Sequence, residues 1–182
     1  MRYISIDLET TGLDPLQHDI IEFAAVVENT EYSPPVDSLS YCSWHIGGPD
    51  DNMVWNRDTL DFHLKIGNLQ RWQSVQAIPC GDLPMKFAEW LSFNGLAQEK
   101  ILFAGKNVAN FDIQFLKNLV GWDQIKYHHR YLDPAMLYME KGDDYPPSLQ
   151  TCLERAMLDP LVKHEALADA RQVIELLRRK LP

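Results

Sequence analysis

The chain has 182 residues, 46% of them hydrophobic and 24% charged, which is enough for one domain with a full core and too short for two comfortable ones. Seventeen basic against 26 acidic side chains leave a net charge of -9, which argues against a protein that grips nucleic acid through a broad basic surface. The excess acid lies entirely in residues 1–90, which hold 5 basic and 14 acidic side chains, whereas residues 91–182 hold 12 of each; this fits either a solvated acidic surface or carboxylates gathered around cations.

Strands come first along the chain. Tyr3 to Leu8, Ile20 to Val27 and Ser40 to Ile46 are rich in Ile, Val and aromatics, and Gly12, Asp14 and Pro15 mark the first turn, so the spacing predicts a three-stranded meander. Residues 47–79 show no usable periodicity. Leu83 to Leu96, with Pro84 in its first turn and Phe87, Trp90 and Leu91 at helical spacing, reads as a helix, and Lys100 to Ala104 as a short buried strand. Asn110 to Val120 places Phe111, Phe115, Leu116 and Leu119 on one helical stripe, with Asn107 or Asn110 as the expected cap. Tyr131 and Leu132 suggest a strand entering a turn at Asp133-Pro134. Leu149 to Met157 and Glu165 to Lys180 are further helices, the last ending on Arg178-Arg179-Lys180. Strands followed by alternating helices and strands imply a mixed sheet covered by helices, in one domain spanning residues 1–182.

Cys42, Cys80 and Cys152 are far apart and form no C-x-x-C pair, so neither a disulfide framework nor a zinc ribbon is indicated and a reducing cytoplasm is expected. Asp7 comes too early for a signal peptide, and no apolar run reaches the length of a membrane span.

Four carboxylates stand out against apolar surroundings. Alternation along the first strand puts Ile4, Ile6 and Leu8 on one face and Tyr3, Ser5, Asp7 and Glu9 on the other, so Asp7 and Glu9 project together. Asp112 lies within four positions of Val108, Phe115 and Leu116, and Asp169 borders Val173 and Leu176 at helical spacing. Burying an unpaired carboxylate costs several kcal/mol, roughly, so such groups are normally paired, protonated or bound to metal. Either helical acid alone is more simply a surface or capping residue; together with Asp7 and Glu9 they favour a metal site. His164, five residues before Asp169, carries an imidazole suited to take a proton from water near neutral pH.

These residues fall in three motifs: Asp7-Leu8-Glu9-Thr10-Thr11-Gly12, Lys106-Asn107-Val108-Ala109-Asn110-Phe111-Asp112, and His164-Glu165-Ala166-Leu167-Ala168-Asp169-Ala170. In order and spacing they resemble the DEDDh group of 3′-to-5′ exonucleases, the DnaQ-like enzymes that include RNase T and oligoribonuclease. Ser148-Leu149-Gln150-Thr151-Cys152-Leu153 is similar to the family's S-L-x-x-L helix, and Lys106 stands where many members have histidine. The resemblance implies an RNase H-like α/β fold with a mixed five-stranded sheet flanked by helices. It also implies 3′-to-5′ hydrolysis of single-stranded RNA or DNA, or of short oligonucleotides, by a two-metal-ion mechanism with Mg²⁺ or Mn²⁺. Asp7 would be shared by both ions, Glu9 and Asp169 would hold one, Asp112 would complete the other, and His164 would be the general base. Thr10, Thr11 and Leu13 match the stretch that receives the terminal nucleotide, with Asn107 and Phe111 as further substrate contacts. Several RNA-processing members are dimeric, so a homodimer is expected, with no membrane partner.

Other readings differ in testable ways. Asp7-Leu8-Glu9-Thr10 could be a variant of the D-x-D-x-T nucleophile of haloacid-dehalogenase-like phosphatases, but Glu9 replaces the second aspartate and His164 to Asp169 has no place there. A non-catalytic module binding a polymerase or an RNA end would normally have lost a key residue, and all five are present. An exonuclease subunit of a larger complex is also compatible, with residues 47–79 as its partner surface.

Overall fold

The computed structural model of the protein describes residues 1–32, 34–47 and 52–181. Its centre is β1 (Arg2–Thr10), which pairs antiparallel with β2 (Ile20–Asn29) and parallel with β5 (Ile101–Ala104). The first hairpin and β3 (Tyr41–Ile46) form the expected meander. A two-residue strand, β4 (Ala77–Ile78), adds parallel to β3, and β6 (Tyr127–Leu132) adds parallel to β5. Among the described residues the sheet therefore has six strands in the order β4-β3-β2-β1-β5-β6, one more than the five expected. The additional strand lies in the segment without periodicity, where two residues cannot display an alternating pattern.

β1 has apolar contacts on both faces, as a central strand must. Ile4, Ile6 and Leu8 belong to the larger core with Phe23, Phe87, Phe103, Leu116 and Trp122. Phe87 and Trp122 stack with centroids 5.5 Å apart. On the opposite side Tyr3, Val26 and Ala104 meet Ala170, Val173, Ile174 and Leu177 of α7 (Ala166–Arg178). Each fully buried aliphatic residue contributes roughly 1.5–3 kcal/mol relative to an exposed one. Ala166 and Ala170, both fully buried, keep this face of the helix low enough to lie close to the strand.

The other helices are α1 (Arg57–Lys65), α2 (Asn68–Gln73), α3 (Leu83–Phe93), α4 (Asp112–Lys117), α5 (Pro134–Leu137) and α6 (Leu149–Arg155). α4 is shorter than expected, and neither Asn107 nor Asn110 caps it through its side chain. Residues 107–111 instead form a turn, with Phe111 N–H bonding Asn107 O at 3.0 Å and Asn107 at a φ of +57°. Asn is among the few non-glycine residues that adopt this conformation readily. Among the described residues no helix is long and apolar enough to cross a membrane.

Candidate functional site

The C-terminal half of β1 presents the first two acids. Glu9 is buried and lies opposite Glu22 in the β1–β2 register, while Asp7 keeps an opening to solvent. Asp169 comes from the first turn of α7 and Asp112 opens α4; both are buried. Gly105 allows the loop before α4 to approach β1, since a Cβ there would lie 2.8 Å from the Ile6 carbonyl oxygen. The second motif is thus drawn against the first by a close backbone approach that only glycine permits.

Glu9, His164 and Asp169 each offer a ligand atom, and all three atoms lie within 4.8 Å of one another. Burial first, then the charges of Asp112, Asp169, Glu9 and Glu22, hold the Asp7 carboxyl well above the usual carboxylate range. Glu9 is likewise raised well above it by burial and then by Asp169 and Glu22. Burial also pushes Asp112 and Asp169 up to about 7. These shifts show four carboxylates in one poorly neutralised field. Asp169 Oδ1 is buried without a hydrogen-bond partner. An oxygen-rich, under-neutralised donor set with an unpaired buried oxygen fits a hard divalent cation.

His164 stands just before α7 at a left-handed φ of +53°, half-buried, with the Phe62 ring edge-on at 4.7 Å. Burial lowers its pKa below the ordinary histidine value, which keeps the imidazole neutral and able to accept a proton near pH 7.

The residues expected at the substrate lie in different settings. The Thr10 hydroxyl donates to Gly12 O at 2.7 Å. Thr11 is fully buried; its hydroxyl donates to Val54 O at 2.6 Å and accepts from Asp19 N–H at 2.8 Å, so the side chain works as an internal strut. Leu13 is 78% exposed and open to contact. Asn107 is exposed, and its N–H donates to Asp133 Oδ2 at 2.9 Å. Phe111 is half-buried against the larger core, with Phe115 5.1 Å away.

Several residues at the site carried no legible signal in the sequence. The segment leading into α1 is tied to the first motif through Asn56 N–H to Thr11 O at 2.9 Å, alongside the Thr11 to Val54 bond. α1 and α2 then bring His63, Asn68, Arg71 and Trp72 to the carboxylates. His63 is buried with Nε2 3.9 Å from Glu9 Oε2. Arg71 pairs with Glu22 at 2.7 Å and reaches within 3.8 Å of Glu165, and Trp72 Nε1 donates to Glu22 at 3.3 Å. Glu22 was findable as the only acid in the run Ile20 to Val27. His63 in Phe62-His63-Leu64 had nothing to mark it.

No protein-family model matches the chain. It is 26% identical over 180 residues to an oligoribonuclease of Paracidovorax citrulli, covering 97% of this chain and 86% of that one. It is 26% identical over 189 residues to a PolC-type DNA polymerase III of Thermotoga maritima, where the match takes in 97% of this chain and only 12% of the polymerase. Among solved structures, E. coli exonuclease I in complex with a dT13 oligonucleotide superposes with a TM-score of 0.67 at 14% identity, covering 98% of this chain and 40% of that one. The Mg²⁺- and Mn²⁺-bound form of S. pombe Pop2p gives a TM-score of 0.67 at 16% identity, covering 97% and 81%. The two structural likenesses establish the fold.

Proposed function

We infer that this chain, a member of the DEDDh group of 3′-to-5′ exonucleases, hydrolyses phosphodiester bonds from the 3′ end of single-stranded nucleic acid or short oligonucleotides. The observation that carries this reading is convergence. Acids from β1, α4 and α7, separated by up to 162 positions between Asp7 and Asp169, meet in one buried field beside a neutral imidazole.

Asp7, Glu9, Asp112 and Asp169 would hold two divalent ions, Mg²⁺ or Mn²⁺. Such ions, when bound, supply the positive charge that offsets charge developing on the phosphoryl, attacking and leaving oxygens. The remaining work falls to the chain. Glu9 and Asp169, both buried, provide fixed oxygens that need little rearrangement as the reaction proceeds. His164 accepts the proton of the attacking water, its lowered pKa leaving the ring unprotonated at neutral pH. Leu13, exposed beside the first motif, offers an apolar contact to the terminal base, and the Thr10-to-Gly12 turn holds that stretch in place. With a net charge of -9 and the excess acid in the half that carries the first motif, the grip on long polymers is weak and recognition centres on the end. The family resemblance also carries a homodimer into this proposal, which sedimentation of the purified chain checks, and three widely spaced cysteines without a C-x-x-C pair carry a reducing cytoplasmic setting.

The deciding experiment incubates matched 3′-labelled and 5′-labelled RNA and DNA oligomers of several lengths with Mg²⁺ and then Mn²⁺. Shortening from the 3′ end, dependent on the added ion, supports the reading. A strand that is bound without being shortened identifies a binding module.

A further inference from the structure

We propose that Asn68 is a positioning residue for His164, fixing the left-handed turn from which the imidazole is presented and joining that turn, through His63, to Glu9. The proposal rests on the exonuclease reading of the site.

Asn68 is the first residue of α2 and is buried. Its Nδ2 donates to the His164 carbonyl oxygen at 2.6 Å, a bond across 96 positions of sequence. The same nitrogen lies 3.4 Å from His63 Nδ1. Because the carbonyl can only accept, it fixes the amide orientation, and an amide nitrogen facing Nδ1 leaves His63 accepting there and carrying its proton on Nε2. Nε2 is the atom that faces Glu9 at 3.9 Å. One side chain thus connects the backbone of the proposed base to an imidazole facing a proposed metal ligand.

His164 needs such a tie. Its φ of +53° is uncommon for a residue with a Cβ and persists only where surrounding structure holds it. The Asn68 bond fixes the peptide, and the edge-on Phe62 ring at 4.7 Å limits the imidazole. Both contacts come from α1 and α2, which are themselves tied to the first motif at Thr11. Losing the Asn68 bond loosens the His164 peptide on the α2 side, while the contact of the Lys163 and His164 backbone with the Asp169 carboxyl remains.

The test is Asn68→Leu in the full chain, a replacement of similar size without a donor. The expected result is a kcat about 10-fold to 100-fold lower on a short single strand with Mg²⁺, because a small misplacement of a reacting group is enough for losses of this size. KM and Mn²⁺ affinity should stay within about twofold, as no proposed ligand is touched. In the metal-free protein the ring ¹H–¹³C signal of His164, assigned by its absence in His164→Ala, should shift and broaden. Asn68→Gln, which keeps the amide donor, should recover part of both. A kcat within about twofold of the parent with an unchanged His164 signal overturns the proposal, as does a loss confined to KM and thermal stability. If Asn68→Leu does not fold, Asn68→Ser, too short to reach the carbonyl, is read by the same criteria. If the parent chain shortens no strand, the exonuclease reading fails, and the His164 signal in the variants still decides whether Asn68 positions the ring.

Discussion

The carboxylate cluster and the α1–α2 segment that faces it are built on opposite principles. The cluster sits on the packed centre of the sheet: β1 is buried on both faces, and α7 packs on it through Ala170, Val173, Ile174 and Leu177. The α1–α2 segment leaves Phe62, Leu64 and Ile66 partly exposed, and besides the ring contact of Phe62 with His164 it is held to the rest by polar ties at Thr11, Glu22 and His164. The difference suggests a division of labour. Rigid packing concentrates negative charge where a flexible scaffold would let it disperse, and a polar second layer orients the groups around it.

Substitutions that break each region separately should therefore have different signatures. The largest effect is expected from Asp7→Ala or His164→Ala, which should lower kcat by at least about 10³-fold with the thermal transition retained. Near-normal turnover in both variants would remove the mechanistic assignment. Removal of divalent ions with a chelator should act as strongly on activity and also reveal the charge crowding. Asp112 and Asp169 ionise at about 7 in the folded metal-free protein and near 3.9 when unfolded. The folded state therefore holds more protons between these values, so stability falls as pH rises from about 4 through 7. Melting temperatures of the metal-free protein should be lower at pH 8 than at pH 5, and added Mn²⁺ should raise the pH 8 value most.

The second region is probed by Arg71→Gln. This leaves the buried Glu22 without its ion-pair partner and should cost roughly 3 kcal/mol, the low end for breaking a buried pair because Arg71 reaches solvent. Denaturant unfolding measures it, and a change below about 1 kcal/mol would show that Trp72 alone satisfies Glu22. Thr11→Val removes the strut to Val54 and Asp19 and should cost about 0.5–1.5 kcal/mol, the net worth of an ordinary hydrogen bond, because the Asp19 N–H and the Val54 carbonyl are only partly buried and can turn to water. The smallest effect is expected from Leu13→Ala. At 78% exposure the side chain contributes little to stability, so a few-fold rise in KM without a change in melting is the signature of contact with the terminal base.

The packed region was legible in the sequence because packing writes periodic patterns. Alternation placed Asp7 and Glu9 on the face of β1 that meets α7, and helical spacing marked Asp112 and Asp169 beside apolar stripes that are indeed buried. The polar layer was not legible because hydrogen bonds leave no period. His63, Asn68 and Arg71 reach the site only through the path of residues 54–73, and that path is set by single bonds such as Asn56 to Thr11. The fate of Leu13 and Phe111 was equally hidden, since an apolar residue next to a motif can turn outward, as Leu13 does, or join the core, as Phe111 partly does. Residues 48–51 lie outside the described part of the structure.

One measurement tests the central claim most directly. A 5′-labelled single strand of about 12 nucleotides, incubated with the chain and Mg²⁺ or Mn²⁺ and sampled over time, should give a descending ladder of products with an intact 5′ label. The ladder should be absent with chelator and absent with Asp7→Ala. Internal cuts, release of the 5′ nucleotide first, or a bound strand that never shortens would contradict a 3′-to-5′ exonuclease whose site is the cluster of Asp7, Glu9, Asp112 and Asp169.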